Sequence, residues 1–192
     1  MHQNVFFCFD YQDALDLRAA IINTRWLSDS EKKSEGFYDQ TKWMQAASEG
    51  DDSIKELLDS SLNKTTVTLV LIGTNTYSKR WVRYVIFKSL SMGHRVIGVN
   101  INEIQLTDSD IKEPGMNPFE FLAIKYHQDG SGVDLIEKVK GNWAKYKDIT
   151  GFTLPKPASR EKWGKAYKLS KFLVTHNWVE HDGHNNLSSW IN

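Results

Sequence analysis

The feature that most constrains this chain is the run Val67-Thr68-Leu69-Val70-Leu71-Ile72, stopped by Gly73 and followed by a segment of helical period. Such a run suits a strand covered on both faces, and the helix after it suits the crossover that covers one of them. The alternation recurs along the first two-thirds of the sequence. Val5 to Phe9 is a short apolar run, after which Leu15, Ala19, Ile22 and Trp26 fall on one helical face ending near Asn23, with Asp10 or Asp13 placed to cap it. Ile54, Leu57, Leu58 and Leu62 form the stripe of a helix starting after Gly50, where Ser53 and Glu56 have capping-box spacing. Trp81, Val82, Val85, Ile86, Ser89 and Leu90 share one side of the next helix, with Ser78 placed to cap it and Gly93 where a left-handed terminal residue belongs. Arg95 to Ile101 is another buried-type strand. This order predicts an α/β fold, flavodoxin-like or Rossmann-like, with a central parallel sheet, helices on both faces and right-handed crossovers.

Weaker signals fill the gaps. Gly36 to Asp39 reads as a second short strand, and Gln40 to Gly50 as loop or irregular helix. After Asn102, Pro114-Gly115 and Asn117-Pro118 mark turns, and Asp129-Gly130 between LAIKY and VDLIEKV marks a hairpin. Pro155 and Pro157 set off a tail in which Lys162, Lys165, Lys168 and Lys171 form either a basic helical face or, the simpler reading, a solvated surface.

Composition narrows the function classes. The 24 basic and 24 acidic residues cancel, which argues against a dedicated nucleic-acid binder. The longest apolar stretch is too short to span a bilayer, so no membrane partner is expected. The N-terminus lacks a basic region before Val5-Phe6-Phe7, and a cytoplasmic protein without a signal peptide is expected. The single cysteine, Cys8, excludes an internal disulfide and a thiolate zinc cluster.

In open parallel sheets, ligands bind beyond the carboxyl ends of the strands. Those ends carry Phe9-Asp10-Tyr11, Asp39 and the loop from Gly73 to Ser78. That loop's Asn and Thr side chains suit either ribose and phosphate contacts or helix capping. Neither GxGxxG nor GxxxxGK[ST] occurs, which disfavours classical dinucleotide dehydrogenases and P-loop NTPases. A phospho-receiver would need an aspartate ending the central strand, and Ile72-Gly73-Thr74 supplies none. Cys8, inside an apolar strand with no histidine near it, reads as a buried structural thiol. His176, His181 and His184, with Asp182, have a spacing that could ligate a metal. Without cysteine partners or a strict motif they read as incidental, and no metal is expected. Asp10 and Asp13 fit a ligand role and a capping role equally.

The run TNTYSKRWVRYVIFKSL resembles the helix of TIR-type domains that carries a tryptophan and, four residues later, a catalytic glutamate. More narrowly, VFFCFDYQD, GFYDQTKW, VTLVLIGTNTYSKRWVRY, MNPFEFL, GNWAKYKD and NWVEHDGHNNLSSWIN, in that order, resemble the ThsB family of TIR-like proteins from Thoeris anti-phage defence. The resemblance implies a TIR-like α/β domain over residues 1–150 and a family-specific C-terminal extension over 151–192, packed on the same domain. It implies cleavage of the nicotinamide–ribose bond of NAD+, with NAD+ as substrate and no cofactor. It also implies a cyclic ADP-ribose-type signal to the effector ThsA, and as partners a TIR paralogue or a second copy and a phage protein trigger.

Bond cleavage of this kind passes through an oxocarbenium-like centre and wants a carboxylate beside the ribose. Here the tryptophan is kept as Trp81, but the glutamate position is Val85. Cys8 stands where the family usually has serine, and Met44 follows Trp43 where an acidic residue is common. Substrate-binding candidates are therefore Phe9, Asp10, Asp13, Asp39, Trp43 and Trp81, with no catalytic residue assigned. The resemblance leaves two readings: an impaired or non-catalytic sensor or assembly partner, and an active synthase that recruits Asp10, Asp13 or Asp39 as its acid.

Overall fold

The computed structural model describes residues 3–10, 17–38, 40–107 and 112–192. In chain order the elements begin β1 (Gln3–Cys8), α1 (Arg18–Leu27), β2 (Lys32–Glu35), α2 (Gln40–Glu49), α3 (Asp51–Leu62), β3 (Val67–Ile72), α4 (Arg80–Ser91) and β4 (Arg95–Asn100). They continue with β5 (Leu122–Tyr126), β6 (Gly132–Val139), β7 (Asn142–Lys145), β8 (Gly151–Thr153), β9 (Ala166–Lys168), β10 (Thr175–Asn177) and α5 (Gly183–Ile191).

Five strands make one wholly parallel sheet in the order β10-β4-β3-β1-β2, the apolar runs predicting its three inner strands β1, β3 and β4. The period of two sorts side chains onto its faces. Phe6, Cys8, Val70 and Ile72 face one apolar layer with Leu58 of α3 and Val82, Val85 and Ile86 of α4. Val5, Phe7, Leu69 and Leu71 face the other, with Ile22 and Trp26 of α1 and Trp190 of α5. This is the flavodoxin-like arrangement. Each fully buried aliphatic or aromatic side chain here contributes roughly 1.5–3 kcal/mol.

Helix α4 ends as its sequence demands. Gly93, at φ +75°, donates to Leu90 O at 3.1 Å, and His94 donates to Ser89 O at 2.9 Å, the two bonds of a Schellman motif.

A second, antiparallel sheet in the order β7-β6-β5-β9, with β8 also paired to β6, packs beside α4. The hairpin at Asp129-Gly130 joins β5 to β6, with Tyr126 opposite Val133. Arg83 Nη1 on α4 meets Glu137 Oε2 on β6 at 2.6 Å, and both side chains are largely buried. Residues 151–192 feed both sheets: β8 and β9 join the second, while β10 forms an edge of the first beside β4.

Several local expectations are corrected. The second strand is Lys32–Glu35, four residues before the expected Gly36–Asp39. It is a polar edge strand, a composition that blunts edge pairing and hides the strand from an apolar-run search. Gln40–Glu49 is a regular helix. Helix α1 starts at Arg18 behind Leu17 (φ 71°) and runs beyond Asn23 to Leu27, so Asp10 does not cap it. Leu15 and Asp13 lie outside the described residues. Helix α3 starts at Asp51 after Gly50 (φ 111°), with no capping bond from Ser53. Its first turn instead carries Asp51 and Asp52, which favour the positive end of the helix dipole. Ser78 sits in a 3-10 turn, Thr76–Ser78, and Lys79 precedes the first residue of α4. Lys162, Lys165, Lys168 and Lys171 are exposed and lie on short turns and β9, so they form no helical face. Among the described residues no helix is long and apolar enough to cross a membrane.

Candidate active site

Beyond the carboxyl ends of β1 and β2, and against the start of α4, lies a cleft of about 290 Å³. Its walls come from separate parts of the chain. The apolar run of β1 ends at Phe9 and Asp10; Phe37 and Tyr38 follow β2; Trp43 comes from α2; Trp81 and Val85 come from α4. Trp81 and Val85 are four residues apart and therefore share a helix face. Gly36 opens the turn after β2 at φ +95°, and a Cβ there would collide with the Phe7 carbonyl, so only glycine lets this loop close over β1.

Seven of the fifteen lining residues are aromatic. Phe9 and Phe37 pack at 4.6 Å between ring centroids, and Tyr38 stacks on Trp43 at 6.1 Å with an interplanar angle of 27°. Trp81 meets the ring of Tyr84 edge-on at 5.9 Å, and the Arg80 guanidinium carbon lies 4.6 Å from the Trp81 ring centroid. Arg80 is itself held: its Nε and Nη2 donate to the two Asp148 carboxylate oxygens at 3.0 and 2.7 Å, and Nη1 lies 2.7 Å from Asp51 Oδ2. These hydrogen bonds, with Lys55 nearby, hold the Asp148 carboxyl down at about 2.

Among the described residues lining the cleft, Asp10 supplies the one carboxylate. It is buried, and Lys79 Nζ stands 3.0 Å from its Oδ2 as an ion pair. Val85 is 2% exposed and presents only methyl groups. Burial pushes the Cys8 thiol up, and its Sγ lies 4.0 Å from the Val82 carbonyl, which fits the structural reading of this residue. Burial also raises the Tyr38 phenol.

Of the residues singled out from sequence, the fold brings Phe9, Asp10, Trp43, Trp81 and Val85 to this one cleft. Asp13 and Asp39 lie outside the described residues. Lys79, Arg80, Phe37 and Tyr38 were not anticipated. Only the polar step Lys79-Arg80 immediately before Trp81 could have flagged the first two. In the Gly73–Ser78 loop, Thr76 Oγ1 accepts from Gly73 N–H at 2.9 Å, and Thr74 Oγ1 accepts from Asn102 Nδ2 at 2.9 Å, so both hydroxyls brace the loop.

The tail histidines are elsewhere. His176 stacks on Trp190 at 4.3 Å, and His181 Nδ1 accepts from Asn177 N–H at 2.9 Å. Among the described residues no group of three or more His, Cys, Asp or Glu side chains is gathered to hold a metal ion.

The sequence profile of the Thoeris protein ThsB, TIR-like domain, matches residues 6–105, which span most of the parallel sheet and every cleft residue named above. A Bacillus cereus (strain MSX-D12) protein named "Putative cyclic ADP-D-ribose synthase ThsB1" is 38% identical over 192 residues, covering 100% of both chains. The chain thus belongs to the ThsB family of TIR-like proteins of the Thoeris system.

Proposed function

We propose that this protein works in Thoeris anti-phage defence by binding NAD+, or a close nucleotide relative, in the Phe9–Trp81 cleft. Its turnover of that ligand is impaired relative to a glutamate-bearing ThsB. The name of its full-length relative points to cyclic ADP-ribose chemistry. In that chemistry nicotinamide leaves C1′ of the ribose with the electron pair of the broken bond. An atom of the remaining ADP-ribose then bonds to C1′ and sheds its proton, closing the ring. The aromatic walls suit flat nicotinamide or adenine rings. The developing positive charge at C1′ wants a carboxylate. The observation that carries the proposal is Val85, 2% exposed on the α4 face toward the cleft, the position that the sequence resemblance pairs with the family's glutamate. Loss of one such stabilising group costs about 10²–10³ in rate. In this role the protein acts as a sensor of a phage component or as the assembly partner of an active TIR paralogue. ThsA lies downstream of the shared signal.

A second reading is favoured by one observation. Asp10 is a buried carboxylate in the same cleft, and a ligand phosphate drawing Lys79 away would leave it free to face the ribose. Calorimetric titration with NAD+, followed by nicotinamide detection, separates the two. Binding that is lost in Trp81→Ala, without nicotinamide release, is the expected result. Nicotinamide release by the unaltered chain, abolished by Asp10→Asn, would establish the second reading instead.

A further inference from the structure

We propose that Asp148, through Arg80, is the positioning residue that holds Trp81 as a fixed wall of the nucleotide cleft. The inference rests on the reading of that cleft as a nucleotide site. Asp148 belongs to the connection between β7 and β8, and so arrives from the second sheet. Its carboxylate takes both a side nitrogen and a terminal nitrogen of Arg80, at 3.0 and 2.7 Å, while Lys55 Nζ approaches Oδ1 at 3.3 Å. A two-point carboxylate grip fixes the plane of a guanidinium as well as its position. Asp51, at 2.7 Å from Nη1, completes the hold. The guanidinium carbon then lies 4.6 Å from the Trp81 ring centroid, and the Tyr84 ring stands edge-on to the same indole with 5.9 Å between ring centroids. Tyr84 is tied in turn, donating to Asp59 Oδ1 at 2.9 Å. Trp81 is therefore held by two neighbours that are each anchored elsewhere. Without them its indole, only partly buried, has rotamer freedom to lose on binding a ligand.

This assigns the second sheet a part in the site. Among the described residues lining the cleft none comes from that sheet, but it carries the loop that aims the cation at the tryptophan.

The test is two-dimensional NMR of the seven tryptophan indole N–H groups, with the Trp81 signal assigned by Trp81→Phe. In Asp148→Asn the Trp81 signal is expected to move or broaden while the other signals keep their positions. The affinity for NAD+ is expected to fall about five- to ten-fold, the size of one cation–π interaction. The sign is diagnostic. Removing a negative charge beside the cleft would by electrostatics alone strengthen the binding of an anionic dinucleotide. In a Trp81→Phe background the same Asp148→Asn change is expected to weaken binding by less than two-fold, since its effect runs through the indole. An unmoved Trp81 signal in Asp148→Asn, or equal weakening in both backgrounds, overturns the proposal. Should Asp148→Asn fail to fold, Asp51→Asn on the exposed arm of the same grip gives the same readout. If the unaltered chain shows no NAD+-dependent shift at all, the nucleotide reading of the cleft fails. The ligand-free spectra then decide alone whether Asp148 holds Trp81.

Discussion

Lys79 Nζ stands 3.0 Å from Asp10 Oδ2, joining the end of β1 to the residue that opens α4 across the mouth of the cleft. The aspartate is buried and the lysine side chain is 41% exposed, so the pair is anchored on one side and free to rehydrate on the other. We predict that Asp10→Asn lowers stability by about 1 kcal/mol or less, the range of a solvent-accessible pair. A melting temperature lower by roughly 2–4 °C is the expected reading, taken by differential scanning calorimetry.

Val85 packs in the apolar layer between α4 and the parallel sheet. Val85→Ala is expected to cost roughly 1–3 kcal/mol through poorer packing and a residual void. Urea denaturation measures it, as a lower midpoint with unchanged slope.

Asp148 gives the fold an acid-sensitive joint. The hydrogen bond from Arg80, then that from Lys55, lowers its carboxyl from the ordinary 3.8 to about 2. The folded protein thus holds this proton less readily than the unfolded chain. Its contribution to stability is present above about pH 4 and is lost as the pH falls from about 4 to about 2. Asp148→Asn should flatten the pH dependence of the denaturation midpoint within that window only. An unchanged acid limb would show that other carboxylates dominate it.

Cys8 is 4% exposed with its thiol pushed up by burial. Native protein is expected to resist alkylation by iodoacetamide at pH 8 and to react at one site on unfolding, read by intact mass. Rapid labelling of the native state would contradict this.

The central strands were legible because parallel strands buried on both faces write themselves as continuous apolar runs, as in β3 and β4. Lys32–Glu35 was not, because an edge strand needs no apolar residues. The three residues of β10 carry no period long enough to detect, so the tail's place in the central sheet emerged only in three dimensions. The cleft's walls were half legible. Phe9, Asp10 and Trp81 sit at strand and helix ends where a ligand is expected. Lys79 meets Asp10 across 69 positions of sequence, and Asp148 meets Arg80 across 68, separations that no local pattern encodes.

Val85 is the decisive position, and the most direct measurement is mass-spectrometric detection of nicotinamide after incubation with NAD+, for the unaltered chain and for Val85→Glu side by side. The unaltered chain should release nicotinamide at or near background, and Val85→Glu should raise the rate by about 10²–10³. Release by the unaltered chain that Val85→Glu does not increase would contradict the account, and would move the catalytic acid to Asp10 or to the aspartates near it in sequence.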